Sequence, residues 1–380
     1  MNIYNYELII RPVNSFFFGG EKKFNSAEEG ETNYLVSSMV VPQQTTILGM
    51  LRYALLMRQI KLEGSAAWKD VDLIGENSFD GKSTSFGIIQ KLSPIYFKKN
   101  NILFEEAGLN IQIYKDENDN DVSTRFDLAE IGGSSHSSHE NKSKVYFLKN
   151  YIPKQDQNHF LIDRTNHYND AELISYSDIF TVCEQPGNKK DRSGKTSLEG
   201  FYRQTKYRMN PDFSFCLFLQ TNNKIDLTNG DCFFATMGGD QSLFEVKLNY
   251  QNQGEDYFSL NCRSGDPKPN EGYIKFISHA FVSNSILFEC KFSIIETASF
   301  RYIYTETAKT TDWNNVRTRK SVKSNTEEGD NRRPQMSKQI RLLNKGSILY
   351  SDNLSKVMAE IEKHEAYRAI GYNYYEVINQ

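Results

Sequence analysis

The sequence is poor in residues that carry acid–base or metal chemistry. It holds six histidines in 380 residues, and none precedes His136. Acid–base catalysis without a metal usually relies on a histidine that titrates near neutrality. His159 and His167 stand in a polar stretch, and His279 and His364 in structural-looking segments. His136 and His139 form H-x-x-H inside a serine-rich stretch with no third ligand, which reads as a loop rather than a metal site. The five cysteines (Cys183, Cys216, Cys232, Cys262, Cys290) include no C-x-x-C pair, and an odd number suits no disulfide framework. Several sit in apolar runs such as FSFCLFL and read as reduced core thiols. No run of about eighteen apolar residues exists, which argues against a membrane-spanning helix. MNIYNYELIIRP lacks the charged start and apolar stretch of a secretory signal. The expectation is a cytoplasmic protein with no metal, cofactor or catalytic residue.

Net charge is only −3, so bulk charge names no partner. Its distribution says more. Residues 301–345 carry 11 basic against 5 acidic side chains, and residues 187–209 carry 7 against 2. Local basic patches on an acidic remainder suit an anionic ligand at a defined place, although a solvated loop reads the same way. Aromatics are plentiful, with 25 Phe and 22 Tyr. That argues against disorder and for β-rich packing.

Within the second basic patch, GNKKDRSGKTSLEGFYRQTKYRM contains S-G-K-T. A phosphate-binding P-loop needs G-x-x-x-x-G-K-[ST] between a strand and a helix. Lys189 stands where the first glycine belongs, and Gly187 is two places too early. Gly200–Met209 alternates like a strand, so the segment reads as a long hairpin loop between two strands, with no helix after Lys195. The P-loop is rejected on spacing and on context. Met237–Gln241 (MGGDQ) is similar to the G-G-D-D turn of nucleotidyl-transferring palm domains. Two-metal chemistry needs more carboxylates than this turn supplies, and Gln241 occupies the second acidic place. Gly238 and Gly239 remain as a turn that lets a backbone approach closely.

Tyr6–Val13 reads as the first strand, followed by the aromatic run FFFGG. QQTTILGMLRYALLMRQIKLEG is the clearest helix: Ile47, Met50, Leu51, Ala54 and Leu55 recur at helical spacing, Thr45 or Thr46 can cap the start, and Gly64 is the stop. Gly49 in its early turns costs up to about 1 kcal/mol against Ala, so close helix–sheet packing or a passing ligand is expected there. SFGIIQKLSPIYFKKNNILFEE reads as two strands around a polar turn, and YSDIFTVCE as a further strand. A second series follows: FSFCLFLQ, CFFATM-GGDQ-SLFEVKLNY, YIKFISHAFVS, ILFECKFSIIE, then a basic polar run, the strand RLLNKGSILYS, the helix LSKVMAEIEKHEAYRA and the end IGYNYYEVI. Two β-rich halves with few helices imply an α+β fold built from a duplicated module, with the halves spanning residues 1–209 and 210–380. Cations interleave with aromatics in Phe201-Tyr202-Arg203, Lys206-Tyr207-Arg208 and Tyr367-Arg368, a pattern that suits single-stranded RNA held by its phosphates and stacked bases. Surface cations over inward-facing aromatics give the same pattern.

Taken in order, these pieces resemble the RAMP superfamily of CRISPR effector proteins. The likeness is nearest to the type III-B (Cmr) subunit family that caps the crRNA 5′ end beside the large palm-domain subunit. It rests on LIIRPVNSFFFGGEKKF; on PQQTTILGMLR, which matches P-x-x-[ST]-x-x-G-x-L-R; on SDIFTVCEQ…SLEGFYRQTKYRM; on MGGDQ; on DWNNV…RLLNKGSILY; and on the closing AIGYNYYEVI. Asp312-Trp313 reverses the family's Trp-Asp order, and the basic insert over 314–338 is longer than the family core. The resemblance implies two ferredoxin-like (RRM-like) RAMP domains with glycine-rich loops between them and long polar insertions. It also implies non-catalytic binding of the crRNA 5′ tag, docking to the palm-domain subunit and to the adjacent backbone RAMP subunit, and only indirect contact with target RNA. On that reading Arg52, Arg203, Lys206, Arg208, Lys345 and Arg368 meet RNA phosphates. Gly49, Gly238, Gly239, Gly346 and Gly371 allow close approach of RNA or chain, and Tyr372 stacks on a base. The alternatives are a metal-independent processing endoribonuclease of the same superfamily and a scaffold that touches only protein.

Overall fold

The computed structural model describes residues 2–20, 22–26, 32–63, 68–76, 78–84, 86–115, 121–131, 145–149, 151, 160–164, 173–190, 193–227, 232–251, 257–258, 272–304 and 335–378. His136, His139, His159, His167, Cys262, Asp312, Trp313 and residues 314–334 of the basic insert lie outside them.

The first strand, Tyr4–Pro12, sends Tyr6, Leu8 and Ile10 into the core, as period-two alternation dictates. It pairs antiparallel with Phe213–Thr221 on one side and Ser242–Gln251 on the other. The sheet runs Leu173–Ser175, Phe160–Asp163, Ile102–Glu106, Tyr96–Lys99, Phe213–Thr221, Tyr4–Pro12, Ser242–Gln251, Cys232–Met237. The helix Gln44–Leu56 buries Ile47, Leu48, Met50, Leu51, Ala54 and Leu55 in the same core. A second antiparallel sheet runs Phe292–Ile294, Ile348–Tyr350, Tyr273–Phe276, Tyr375–Ile378. Its core includes Val357 and Ile361 of the helix Leu354–Glu362. The architecture is sheet-rich with few helices, an α+β arrangement.

The same strand order recurs. Numbered by chain position, the second sheet reads 2-3-1-4, and so do Tyr96–Lys99, Phe213–Thr221, Tyr4–Pro12 and Ser242–Gln251 at the centre of the first. The division expected at 209/210 is corrected by this pairing. Residues 213–251 complete the first sheet, so the sheets part between Gln251 and Tyr273. Three local readings also change. Tyr176–Ile179 is a helical turn capped by Ser175 and Asp178, and the strand begins only at Phe180. The helix Gln44–Leu56 stops well before Gly64, because Arg58 adopts φ 56° and the chain folds back with Gln59 N donating to Ala54 O. RLLNKGSILYS, expected as a strand with Lys345-Gly346 at its start, is two strands, Ile340–Leu343 and Ile348–Tyr350, parted at Asn344–Gly346.

Phe180–Lys190 and Thr196–Met209 pair as one long hairpin, and Thr196–Met209 adds in parallel to Thr32–Ser37. Strand rather than helix follows Lys195, consistent with the absence of a P-loop. The hairpin is rooted by Phe16, whose N–H donates to Tyr207 O at 2.8 Å and whose O accepts from Tyr207 N at 3.1 Å. The Phe16 ring sits among Phe18, Phe180, Phe215 and Phe244, so the FFF run is an aromatic plug in the core.

Candidate nucleic-acid interface

The residues expected to meet RNA separate into two groups. One group is consumed by the chain itself. Gly371 has φ 93°, and a Cβ there would lie 2.4 Å from Ser93 O and 2.6 Å from Gln44 Nε2. Gln44 Nε2 donates to Ser93 O at 3.1 Å and to Gly371 O at 3.3 Å. Tyr372 is fully buried, so the stacking role expected of it is corrected. Its hydroxyl donates to Gln43 Oε1 at 2.9 Å. Gln43, the N-cap, makes no side-chain cap bond of its own. The phenol therefore ties the closing turn to the N-cap residue of the first helix, and burial raises its pKa above the ordinary tyrosine range. Asn373, at φ 60°, accepts from Phe281 N at 2.7 Å and donates to Ile361 O at 3.0 Å. The closing Gly-Tyr-Asn is thus a clasp between the C-terminal turn and the start of the first helix. Replacing Tyr372 by Phe keeps the ring and removes only the hydrogen bond to Gln43. The expected loss is about 1–2 kcal/mol, measurable by urea unfolding.

The other two glycine turns are tight for the same kind of reason. Gly346 has φ 78°, and a Cβ there would lie 2.5 Å from Ala107 O; its N–H donates to Phe276 O and its O accepts from Leu109 N. Lys345 turns inward, donating from Nζ to Ile95 O at 3.2 Å, and burial pulls its pKa down to about 8. Gly238 has φ 80°, and a Cβ would lie 2.1 Å from Phe17 O. The close approaches expected at Gly238, Gly346 and Gly371 are real, but the approaching backbone is the protein's own. Lys206 is also engaged: its Nζ sits 2.8 Å from Asp240 Oδ2, which accepts from Gln204 Nε2 at 3.0 Å. The acidic residue of the MGGDQ turn thereby anchors the turn to the hairpin.

The second group faces outward. Gly49 is exposed, and a Cβ there meets nothing within 4 Å. Close helix–sheet packing, one of the two reasons expected for it, is excluded. Gly239 is equally open. One turn along the helix from Gly49, Arg52 has a buried Nε–H with no hydrogen-bond partner among the described residues, and burial pulls its pKa down to about 10. Arg368 has the same unmet Nε–H. A guanidinium half withdrawn from water without an acceptor is unfavourable, and an anion seated on it would offset that cost. Arg203 and Arg208 are exposed on the hairpin; Arg203 lies 3.8 Å from Glu184, a surface contact worth at most about 1 kcal/mol. Among the described residues, no group of three or more His, Cys, Asp or Glu is gathered as metal ligands, and no helix is long and apolar enough to cross a membrane.

Sequence reasoning missed Gln43, Gln44 and Ser93. The paired amides between Pro42 and the helix are a visible signal; Ser93 carries none, since its role depends on residues far along the chain.

Comparison with known proteins now adds what geometry alone does not. The family model of a CRISPR-associated protein matches residues 8–379, nearly the whole chain. The chain belongs to that family, Cas_Cmr3, in agreement with the resemblance carried by its motifs. No curated protein matches the sequence. Among solved structures, a chain of "Cryo-EM structure of the Type III-B Cmr-beta bound to cognate target RNA" aligns with 98% of this chain and 99% of its own, with 11% identity and a TM-score of 0.48. A chain of the same complex bound to cognate target RNA and AMPPnP, state 1, aligns with 97% and 98%, with 10% identity and a TM-score of 0.45. The family assignment rests on the match over residues 8–379, not on these likenesses.

Proposed function

We propose that the chain is a non-catalytic RNA-binding subunit of a type III-B CRISPR effector complex. It holds the 5′ tag of the crRNA and docks to the large palm-domain subunit and the adjacent backbone RAMP subunit, meeting target RNA only through that assembly. Membership of Cas_Cmr3 supports the assembly. The observation that carries RNA binding is the pair of guanidiniums, Arg52 and Arg368, whose buried Nε–H groups lack acceptors among the described residues. The repeated 2-3-1-4 strand order supports two ferredoxin-like RAMP domains. A processing nuclease needs a group poised near neutral pH. Burial, with the nearby charge of Lys345, pushes His279 down to about 3, and burial also lowers His364; neither suits that task.

Replacing Arg52 and Arg368 together by Ala should weaken binding of tagged crRNA. It should also reduce the slope of log K against log salt by about 1.4, since each phosphate contact on a single strand contributes about 0.7. Fluorescence anisotropy across a salt series reads both. Unchanged affinity and slope would leave the protein-only scaffold as the better reading.

A further inference from the structure

We propose that the two-stranded ribbon over residues 297–304 and 335–343 is a second track for the phosphates of the crRNA, holding its backbone without reading its bases. The inference rests on the reading of this chain as a crRNA-binding subunit, and it adds a surface that this reading does not include. Thr297–Phe300 pairs with Ile340–Leu343, and Ile303–Tyr304 with Gln335–Met336. One side of the ribbon is core. Phe300 and Leu342 are buried in the same cluster as the first helix, and Tyr302 and Ile340 pack against it. Strand alternation turns the other side out. Ser299, Arg301, Gln339 and Arg341 are exposed there, and Lys338 is exposed beside them.

The composition of the ribbon makes that side cationic. TASFRYIY and QMSKQIRLL hold three cations and no aspartate or glutamate. Arg301 Nη2 donates to Gln339 Oε1 at 3.3 Å, and Gln339 Nε2 donates to Ser299 Oγ at 2.8 Å. These neutral partners orient the guanidinium and leave its charge uncompensated. Among the described residues, neither Lys338 nor Arg341 forms an ion pair. Three like charges on one short ribbon call for an anion from outside, and an extended polyanion meets all three at once. The outward residues carry no aromatic ring, so nothing there stacks on a base. The contact is with phosphates, which position a nucleic acid without specifying its sequence. Ile303 and Met336, 65% and 61% exposed, face each other at the far end; two side chains fall short of a protein-docking patch.

The position of the ribbon identifies the RNA. The Tyr302 hydroxyl donates to Asp80 O at 2.7 Å. The Tyr302 ring centroid lies 5.1 Å from that of Phe79, which lies 5.2 Å from that of Tyr367, the residue before Arg368. The Phe300 ring centroid is 5.7 Å from that of Tyr372. Aromatic packing thus seats the ribbon beside the turn that carries Arg368. An RNA held at Arg368 has these cations as its neighbours, so the occupant is the crRNA.

The test replaces Arg301, Lys338 and Arg341 together by Ala in the full chain and follows tagged crRNA by fluorescence anisotropy across a salt series. The Arg52→Ala, Arg368→Ala variant and an Arg301→Lys, Arg341→Lys variant are measured beside it. Expected for the triple variant is an affinity about tenfold lower and a slope of log K against log salt reduced by about 2, at about 0.7 for each contact. The loss should be the same for a crRNA whose tag bases are scrambled, and the lysine variant should keep the slope. The replaced side chains are exposed, so the unfolding midpoint should stay where it is. If it falls, Lys338→Ala alone should still reduce the slope by about 0.7, and no reduction there overturns the proposal. Unchanged affinity and slope in the triple variant, while the Arg52 and Arg368 variant binds weakly, overturns the ribbon track and leaves the function standing. No effect from either set overturns both. Kept crRNA affinity with lost capture of target RNA, or with lost entry into the complex, overturns it in favour of target RNA or of protein.

Discussion

Lys275→Met is expected to lower the stability of the folded chain by about 3–5 kcal/mol, the range for removing one partner from a buried ion pair. Lys275 Nζ lies 2.9 Å from Glu105 Oε1 and 2.7 Å from Glu376 Oε1, and all three side chains are at most 1% exposed. Glu105 belongs to the first sheet; Lys275 and Glu376 face each other across two strands of the second. The triad therefore ties the two sheets together by charge. Without the ammonium, Glu105 and Glu376 stay buried in a medium that disfavours their charge, with Arg164, whose Nε lies 3.9 Å from Glu105 Oε2, as a neighbouring cation. Adding Glu105→Gln and Glu376→Gln to the Lys275→Met background should restore part of the loss, and a mutant cycle by urea unfolding isolates the coupling. A loss below about 1 kcal/mol would mean that water reaches the triad.

The sequence shows elements better than it shows their pairing. Alternation in Tyr6–Val13 and in Gly200–Met209, and helical spacing from Ile47 to Leu55, point to elements that exist because each buries one face. The boundary at 209/210 went wrong because nothing local to Phe213–Thr221 says that its partner is Tyr4–Pro12, some 200 residues earlier. The same limit governs the glycines. A glycine with positive φ signals that a backbone comes close, but not whose backbone. At Gly238, Gly346 and Gly371 it is the chain's own, and only at Gly49 and Gly239 is the space open. Lys206 and Lys345 read as free cations because their partners, Asp240 and the carbonyl of Ile95, are distant in sequence. Arg52 and Arg368 were legible as cations, and the structure adds that their Nε–H groups are buried without acceptors among the described residues. That property depends on packing and has no sequence signature.

Gly371→Ala should be nearly as damaging as the loss of Lys275, and for a steric reason. A left-handed backbone costs a residue with a Cβ about 1–2 kcal/mol, and overlap with a packed neighbour adds about 1–3 kcal/mol. Here the nearest neighbour is a backbone oxygen, Ser93 O at 2.4 Å, which cannot rotate away. The other is the amide of Gln44, which bridges Ser93 to this turn. Making room for a methyl group must open that bridge and draw Tyr372 off the start of the helix that carries Gly49 and Arg52. The substitution should therefore lower stability by about 2–5 kcal/mol and weaken crRNA binding together. Gly49→Ala is the contrasting change: with nothing within 4 Å, alanine should raise stability by up to about 1 kcal/mol. If RNA runs past that turn, the same stabilised variant should bind crRNA more weakly. Unfolding midpoints and crRNA affinities of the two variants separate the roles. A stabilised Gly49→Ala with unchanged affinity would place the RNA elsewhere on the surface, and an undamaged Gly371→Ala would show that the clasp can yield without cost.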